Sequence, residues 1–196
     1  MLEILTVCTG NVCRSPFAET VLQTELPGAR VHSAGTHAMI DAPMEPDAAR
    51  LARQFGVADA SLAAHRGRWL QESHLVSPDL VLAMSREHRR AVVELAPAKL
   101  RSTFTAREFA RLSRHLPDDE ARATADAAGT DPQDRLRALL LQLAGLRSEV
   151  EPPVDPTEDD VVDPYRRDWA TYERMAVELM PALGEVVRIA RVALSA

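Results

Sequence analysis

Cys8 and Arg14 are separated by five residues in the run Val7-Cys8-Thr9-Gly10-Asn11-Val12-Cys13-Arg14-Ser15-Pro16. That spacing lets the chain wrap once around an anion the size of phosphate. Backbone N–H groups from Thr9 to Ser15 (Thr9, Gly10, Asn11, Val12, Cys13, Arg14 and Ser15 in order) would point inward at its oxygens. Arg14 closes the ring with a planar fork that matches phosphate bidentately. Cys8 then sits under the phosphorus, in an electropositive nest that favours a thiolate nucleophile. Attack by sulfur on a phosphoryl group needs a proton donor for the leaving oxygen, and the run supplies none. Two Asp-Pro pairs further on are candidates, Asp163-Pro164-Tyr165 and Asp155-Pro156. Pro164 restricts Asp163 to an extended backbone, which aims its carboxylate. Spacing alone leaves both aspartates open, because Asp-Pro is also a common turn pair.

Other chemistries fit less well. Cys8 and Cys13 are the chain's two cysteines, so a C-x4-C metal site would have only two thiolates. None of the six histidines stands at metal-finger spacing. Neither GxGxxG nor GxxxxGK[ST] occurs, which removes the common nucleotide loops. No metal and no other cofactor is expected.

The elements around the run must hold it in shape. Leu2 to Val7 reads as a buried strand, and Ser15 reads as the N-cap of a helix with Pro16 at its first position. The run therefore bridges the C-terminal end of a strand and a helix N-terminus, where open α/β sheets bind ligands and the helix dipole is positive. Further strands are expected at Arg30–Thr36, Asp79–Met84 and Ser102–Thr105. Helices are expected at Pro46–Phe55, Ser85–Leu95, Ala106–Leu112 and about Asp168–Leu194, the last bent or divided by Pro181. Strands alternating with helices imply an α/β fold, a parallel sheet with helices on both faces.

From His115 to Asp160 the pattern lapses, with no strand signal. Asp131-Pro132 opens a helix whose Leu136, Leu139, Leu140, Leu143 and Leu146 recur at helical spacing and should pack back on the protein. Glu151 to Asp160 is acidic and rich in proline, a loop by composition. The expectation is one domain over residues 1–196, with a helical and acidic insertion at about 115–158. A net charge of −6 argues against a nucleic-acid partner. No apolar run approaches the roughly 20 residues of a membrane helix. Two cysteines, and an N-terminus that enters a strand without a leader, point to a reducing cytoplasm.

The whole set of residues resembles the low-molecular-weight protein-tyrosine phosphatase family. The resemblance rests on the Cys8 run, Ser33-Ala34-Gly35-Thr36, His65-Arg66-Gly67-Arg68, Asp79 to Met84 and Asp163-Pro164-Tyr165, in that order. It implies a flavodoxin-like, three-layer fold with four parallel strands. It also implies roles: Cys8 as nucleophile, Arg14 as phosphate clamp, and Asp163, in preference to Asp155, as general acid and then base. Asn11 would hold the loop in a left-handed turn. Ser15 would hydrogen-bond the Cys8 sulfur, and Ser33 and His65 would buttress the loop. Cys13 would be a redox partner for Cys8. Tyr165 would form one pocket wall and Met39 or Ile40 the other, since no aromatic follows Thr36 in His37 to Asp41.

The implied substrate is a phosphorylated protein. Val12 favours phosphotyrosine, because related protein-arginine phosphatases carry threonine at that place. Arsenate reductases on the same cradle need extra cysteines, which this chain lacks. A phosphate-binding module of low turnover would need Arg14 but neither the thiol nor the acid.

Overall fold

Strand β1 (Leu2–Cys8) is buried along its whole length. Its side chains divide by parity, as a strand's period of two requires. Leu2, Ile4 and Cys8 join one apolar cluster, while Leu5 and Val7 join a second on the opposite face. A strand buried on both faces belongs at the centre of a sheet. The computed structural model describes residues 1–195 and places β1 there. Strands β2 (Ala29–Gly35), β3 (Leu80–Ala83) and β4 (Thr103–Thr105) complete a parallel sheet of order β2-β1-β3-β4. Register runs Cys8 against Gly35 and Val7 against Ala83.

Eight helices surround the sheet among the described residues: α1 (Arg14–Glu25), α2 (Pro46–Gln54), α3 (Asp59–Ala64), α4 (Arg86–Leu95), α5 (Ala106–Ser113), α6 (Asp118–Ala127), α7 (Pro132–Gly145) and α8 (Trp169–Leu194). The larger cluster joins Phe17 of α1, Leu51 of α2, Phe109 of α5, Leu136 of α7 and Leu183 of α8. The smaller one joins Val92 of α4 to Leu70 and Leu75. Helices thus cover both faces, the expected three-layer α/β arrangement. From β1 the chain moves out to β2, then crosses back past β1 to β3 and on to β4. The loops after β1 and β3 therefore part in opposite directions, opening the crevice where such sheets hold ligands.

The strands lie within one or two residues of their expected bounds. One cap differs. Helix α1 begins at Arg14, its N-cap is Cys13, and no side chain caps it. Ser15 is inside the first turn because its hydroxyl is engaged by the loop instead. The uncapped first turn keeps its N–H groups for another acceptor. Helix α3 was not expected, being only six residues long and too short to show a period. Pro181 neither ends nor divides α8, which is continuous through it. The carbonyl that Pro181 leaves without an N–H belongs to Val177, whose residue is 73% exposed.

Within 115–158, α6 and α7 pack on α8 and on each other. Leu136, Leu139, Leu140 and Leu143 are buried as expected. Arg135, only 2% exposed, anchors the pair. Its guanidinium donates to the carbonyls of Val192, Ala193 and Ser195 at the C-terminal end of α8 and ion-pairs with Asp126 at 2.8 Å. A cation there satisfies carbonyls that the helix cannot.

Candidate active site

The Cys8 run is held from below by side chains that converge on Asn11. Asn11 is fully buried and left-handed, with φ 54°. Its Nδ2 donates to Ser15 Oγ at 2.9 Å and to Ser33 Oγ at 2.8 Å. Its Oδ1 accepts from the Arg68 N–H at 2.9 Å, and its carbonyl lies 2.8 Å from His65 Nε2. An asparagine side chain with both ends satisfied can hold the backbone in a region most residues avoid. Ser33 in turn donates to Glu19 of α1, which is itself buried. His65 Nδ1 lies 3.6 Å from the same carboxylate, too far for a hydrogen bond. Gly35 is required beside the loop, because a Cβ there would run into the Thr9 carbonyl.

Ser15 Oγ lies 3.0 Å from Cys8 Sγ. Because Ser15 already accepts from Asn11, its own hydrogen is available to the sulfur. Arg14 is 5% exposed and its fork is spread over the loop. Nη1 donates to the Val161 carbonyl at 3.2 Å, and Nη2 to Asp163 Oδ2 at 2.6 Å and Thr9 Oγ1 at 3.4 Å. The other Asp163 oxygen accepts from the Tyr165 N–H at 3.1 Å, an Asx turn around Pro164 that fixes the carboxylate. Asp155, by contrast, caps a short turn at Thr157, is exposed and stands outside the pocket.

Two further residues belong to the site and gave no sequence signal of their own. One is Glu19. The other is His88 on α4, whose Nε2 lies 2.8 Å from Thr9 Oγ1 and Nδ1 2.8 Å from Ser85 Oγ. Burial, and then the Arg14 guanidinium, push the His88 pKa down to about 3, so the ring is neutral. Thr9 Oγ1 accepts from Arg14 and is hydrogen-bonded to His88 Nε2, and His88 Nδ1 is hydrogen-bonded to Ser85. Ser85 caps α4, so this chain ties the Arg14 fork to a helix end.

Cys13 and Cys8 are both free and buried. Burial pushes the Cys13 thiol up to about 12, and its sulfur lies 3.9 Å from the Tyr172 hydroxyl. Tyr172 donates to Glu45, which caps α2. A protonated thiol is a slow partner in disulfide exchange.

Cys8, Val12 and Arg14 share a pocket of about 180 Å³ that His37, Met39, Asp163 and Tyr165 also line. The Arg166 guanidinium lies over the Tyr165 ring, 5.1 Å from its centre. A larger depression of about 510 Å³ lies at the opposite ends of the strands, near Ser77, Lys99 and Gln133, and holds neither cysteine nor histidine. No group of three His, Cys, Asp or Glu side chains suited to a metal ion occurs among the described residues. No helix among them is long and apolar enough to cross a membrane.

The model of the family described as low molecular weight phosphotyrosine protein phosphatase matches residues 3–137. Low molecular weight protein-tyrosine-phosphatase Etp of Escherichia coli (strain K12) is 46% identical over 95 residues, 48% of this chain and 62% of Etp. A protein-arginine-phosphatase of Geobacillus stearothermophilus is 38% identical over 108 residues, 55% of this chain and 70% of that protein. The chain thus spans less than two thirds of Etp in sequence. The crystal structure of Erwinia amylovora tyrosine phosphatase amsI has a TM-score of 0.64, with 22% identity, over 94% of this chain and 91% of that one. At that identity the likeness speaks for the fold, and it runs well past residue 137. With a family match over more than half its length, the chain belongs to the low molecular weight phosphotyrosine protein phosphatase family.

Proposed function

We propose that the protein is a phosphomonoester hydrolase that removes phosphate from tyrosine in proteins through a cysteinyl-phosphate intermediate. One observation carries this reading: Cys8, Arg14 and Asp163 line one pocket, with Ser15 at 3.0 Å from the sulfur and Asp163 at 2.6 Å from the guanidinium. Substrate phosphate takes the Arg14 fork and the loop amides in place of Asp163. Cys8 Sγ then attacks phosphorus in line, and the bond to the tyrosine oxygen breaks. Asp163 gives its proton to that leaving oxygen. In the second step water attacks the cysteinyl phosphate, Asp163 takes a proton from it, and the S–P bond breaks. Phosphate leaves, and the Ser15 hydroxyl stabilises the departing thiolate. Asn11, Ser33 and His65 keep the amides converged on the equatorial oxygens, the charge that grows in the transition state. Val12 and Tyr165 give the pocket the apolar sides that a phenyl ring requires. Such a thiol enzyme works in a reducing compartment, which the cytoplasm provides.

A second reading, phosphoarginine as substrate, is favoured by the Geobacillus relative and by the Asp163 carboxylate, which could face a guanidinium. Turnover of phosphotyrosine, phosphoserine and phosphoarginine peptides, measured side by side, separates the readings. Phosphotyrosine should be hydrolysed fastest, and Cys8→Ser should hydrolyse none. Asp163→Asn should slow turnover of poor leaving groups by about 10²–10⁴-fold, while Asp155→Asn should not. Undiminished turnover in Cys8→Ser would end the cysteinyl-phosphate mechanism, and faster phosphoarginine hydrolysis would replace tyrosine as the substrate.

A further inference from the structure

On the Met39 side the pocket wall continues outward as exposed apolar surface. Met39 is 42%, Ile40 64% and Trp69 45% exposed. His37 and Met39 line the pocket itself. The Trp69 ring sits 5.8 Å from that of His37, centre to centre, and is tilted 56° to it. Trp69 is therefore next to the mouth, one side chain removed from the reacting centre.

This surface is built firmly onto the cradle. The N–H groups of Thr36, His37 and Met39 donate to the carbonyls of Cys8, Thr9 and Gly10 at 2.9, 3.0 and 3.0 Å. Trp69 is bracketed by a parallel bridge to Gly35, with Gly35 N–H to Arg68 O at 2.9 Å and Leu70 N–H to Gly35 O at 2.8 Å. Asp41 N–H to Gly67 O and Gly67 N–H to Ala42 O, both 2.8 Å, join the two segments. They approach so closely that a Cβ on Gly67 would meet the Met39 carbonyl. Three large apolar side chains are thus held in water by a rigid backbone, beside a pocket too small for more than one side chain. Apolar surface left in water forgoes about 25 cal/mol per Å² of burial. Rigid exposed patches beside a site mark binding surfaces, and tryptophan is prominent among residues that carry binding energy.

Resting on the phosphatase reading above, we propose that Met39, Ile40 and Trp69 form a subsite for a large apolar side chain close in sequence to the phosphorylated residue. The occupant is an extended segment of a protein substrate. Trp69 stands beside the pocket-lining His37 but outside the pocket, and extended chain advances about 3.3 Å per residue, so the side chains that meet the ledge are those one or two positions from the phosphorylated residue. The ledge then selects among phosphoproteins, while the cradle recognises only the phosphoryl group.

Phosphotyrosine peptides that differ only in carrying leucine or glycine at single positions within two residues of the phosphotyrosine test this. The wild type should prefer at least one leucine peptide by about tenfold in kcat/KM, the scale of one buried apolar side chain. In Trp69→Ala that ratio should fall toward one, and in Ile40→Ser it should fall in part. Calorimetry on the Cys8→Ser protein should show the same preference as a difference in Kd. A preference unchanged in Trp69→Ala would overturn the subsite. So would a loss on p-nitrophenyl phosphate as large as on the leucine peptide, which would assign Trp69 to supporting the cradle. If the wild type hydrolyses neither peptide nor p-nitrophenyl phosphate, the phosphatase reading fails instead, and the Kd values still decide the ledge.

Discussion

Asn11→Ala would remove three side-chain hydrogen bonds, those to Ser15, Ser33 and the Arg68 N–H, and leave φ 54° to a residue with no means of holding it. Each bond contributes about 1 kcal/mol net, and the left-handed turn costs alanine about 1 kcal/mol more. The total is about 4 kcal/mol against the cradle shape. Asn11→Gly loses the same bonds but adopts the turn freely, so its cost is about 3 kcal/mol. Both lie below the 5–15 kcal/mol typical of a domain, so the proteins should fold. The loop escapes the cost by relaxing, and its amides then stop converging on the anion. At 1.4 kcal/mol per tenfold, inhibition by inorganic phosphate and kcat/KM for p-nitrophenyl phosphate should weaken by roughly 10²-fold in Asn11→Gly and about fivefold further in Asn11→Ala. Urea unfolding of the three proteins checks that the loss lies in the loop. Phosphate inhibition within threefold of wild type in both variants would refute the reasoning. Alanine tolerated better than glycine would show that the turn is not the strained element.

Two other perturbations probe what surrounds the cradle. Asp160 accepts from the Arg86 N–H at 2.7 Å and pairs with its guanidinium, steadying the backbone three residues before Asp163. Asp160→Asn should lower kcat for a poor leaving group by about three- to fivefold, as expected of a partly exposed pair, and leave an activated aryl phosphate little changed. In an Asp163→Asn background that effect should disappear, and a full effect there would show that Asp160 acts elsewhere. His88 stays neutral to about pH 3 in the folded protein, whereas a histidine in the unfolded chain takes a proton near 6.5. The unfolded state therefore binds more protons below pH 6.5, and stability falls with pH, by about 2 kcal/mol at pH 5 from this residue. Urea unfolding of His88→Asn between pH 4 and 7 should show a slope shallower by about one proton. Parallel curves for the two proteins would refute the assignment.

The cradle was legible in the sequence because its chemistry is contiguous: nucleophile, turn residue, clamp and hydroxyl all fall between Cys8 and Ser15. The buried strands were legible as unbroken apolar runs. Asp163 was visible only as one of two Asp-Pro pairs not assigned to a helix start, since its link to Arg14 spans most of the chain. Ser15 reads as a helix cap because serine before proline usually is one. Here the sulfur of Cys8 and the amide of Asn11 compete for its hydroxyl, and the helix starts two residues earlier, at Arg14. Glu19 and His88 look like ordinary helix residues. The one hint for Glu19 is that it stands four residues after Ser15, on the same side of α1. For His88 it is a place three residues after the cap Ser85. Neither spacing names a partner, because the partners, Ser33 and Thr9, come from other parts of the chain.

The return of Asp163 to the cradle explains how helices α6 and α7 can lie between β4 and the acid. Five consecutive residues are pinned one by one. Asp159 pairs with Arg111 of α5 at 2.9 Å, and the Asp160 carbonyl accepts from Arg107 at 3.1 Å. Val161 donates to the Met84 carbonyl just after β3 at 2.9 Å and accepts from Arg14. The Val162 N–H is held by Glu178 of α8 at 2.8 Å, and Asp163 meets Arg14. Every anchor belongs to the sheet, the cradle, α4, α5 or α8, and none to residues 115–158. The position of the acid is therefore set by where the chain re-enters the crevice, not by the path it takes to get there. Sequence can therefore change in the intervening helices without moving the carboxylate from the thiol it serves.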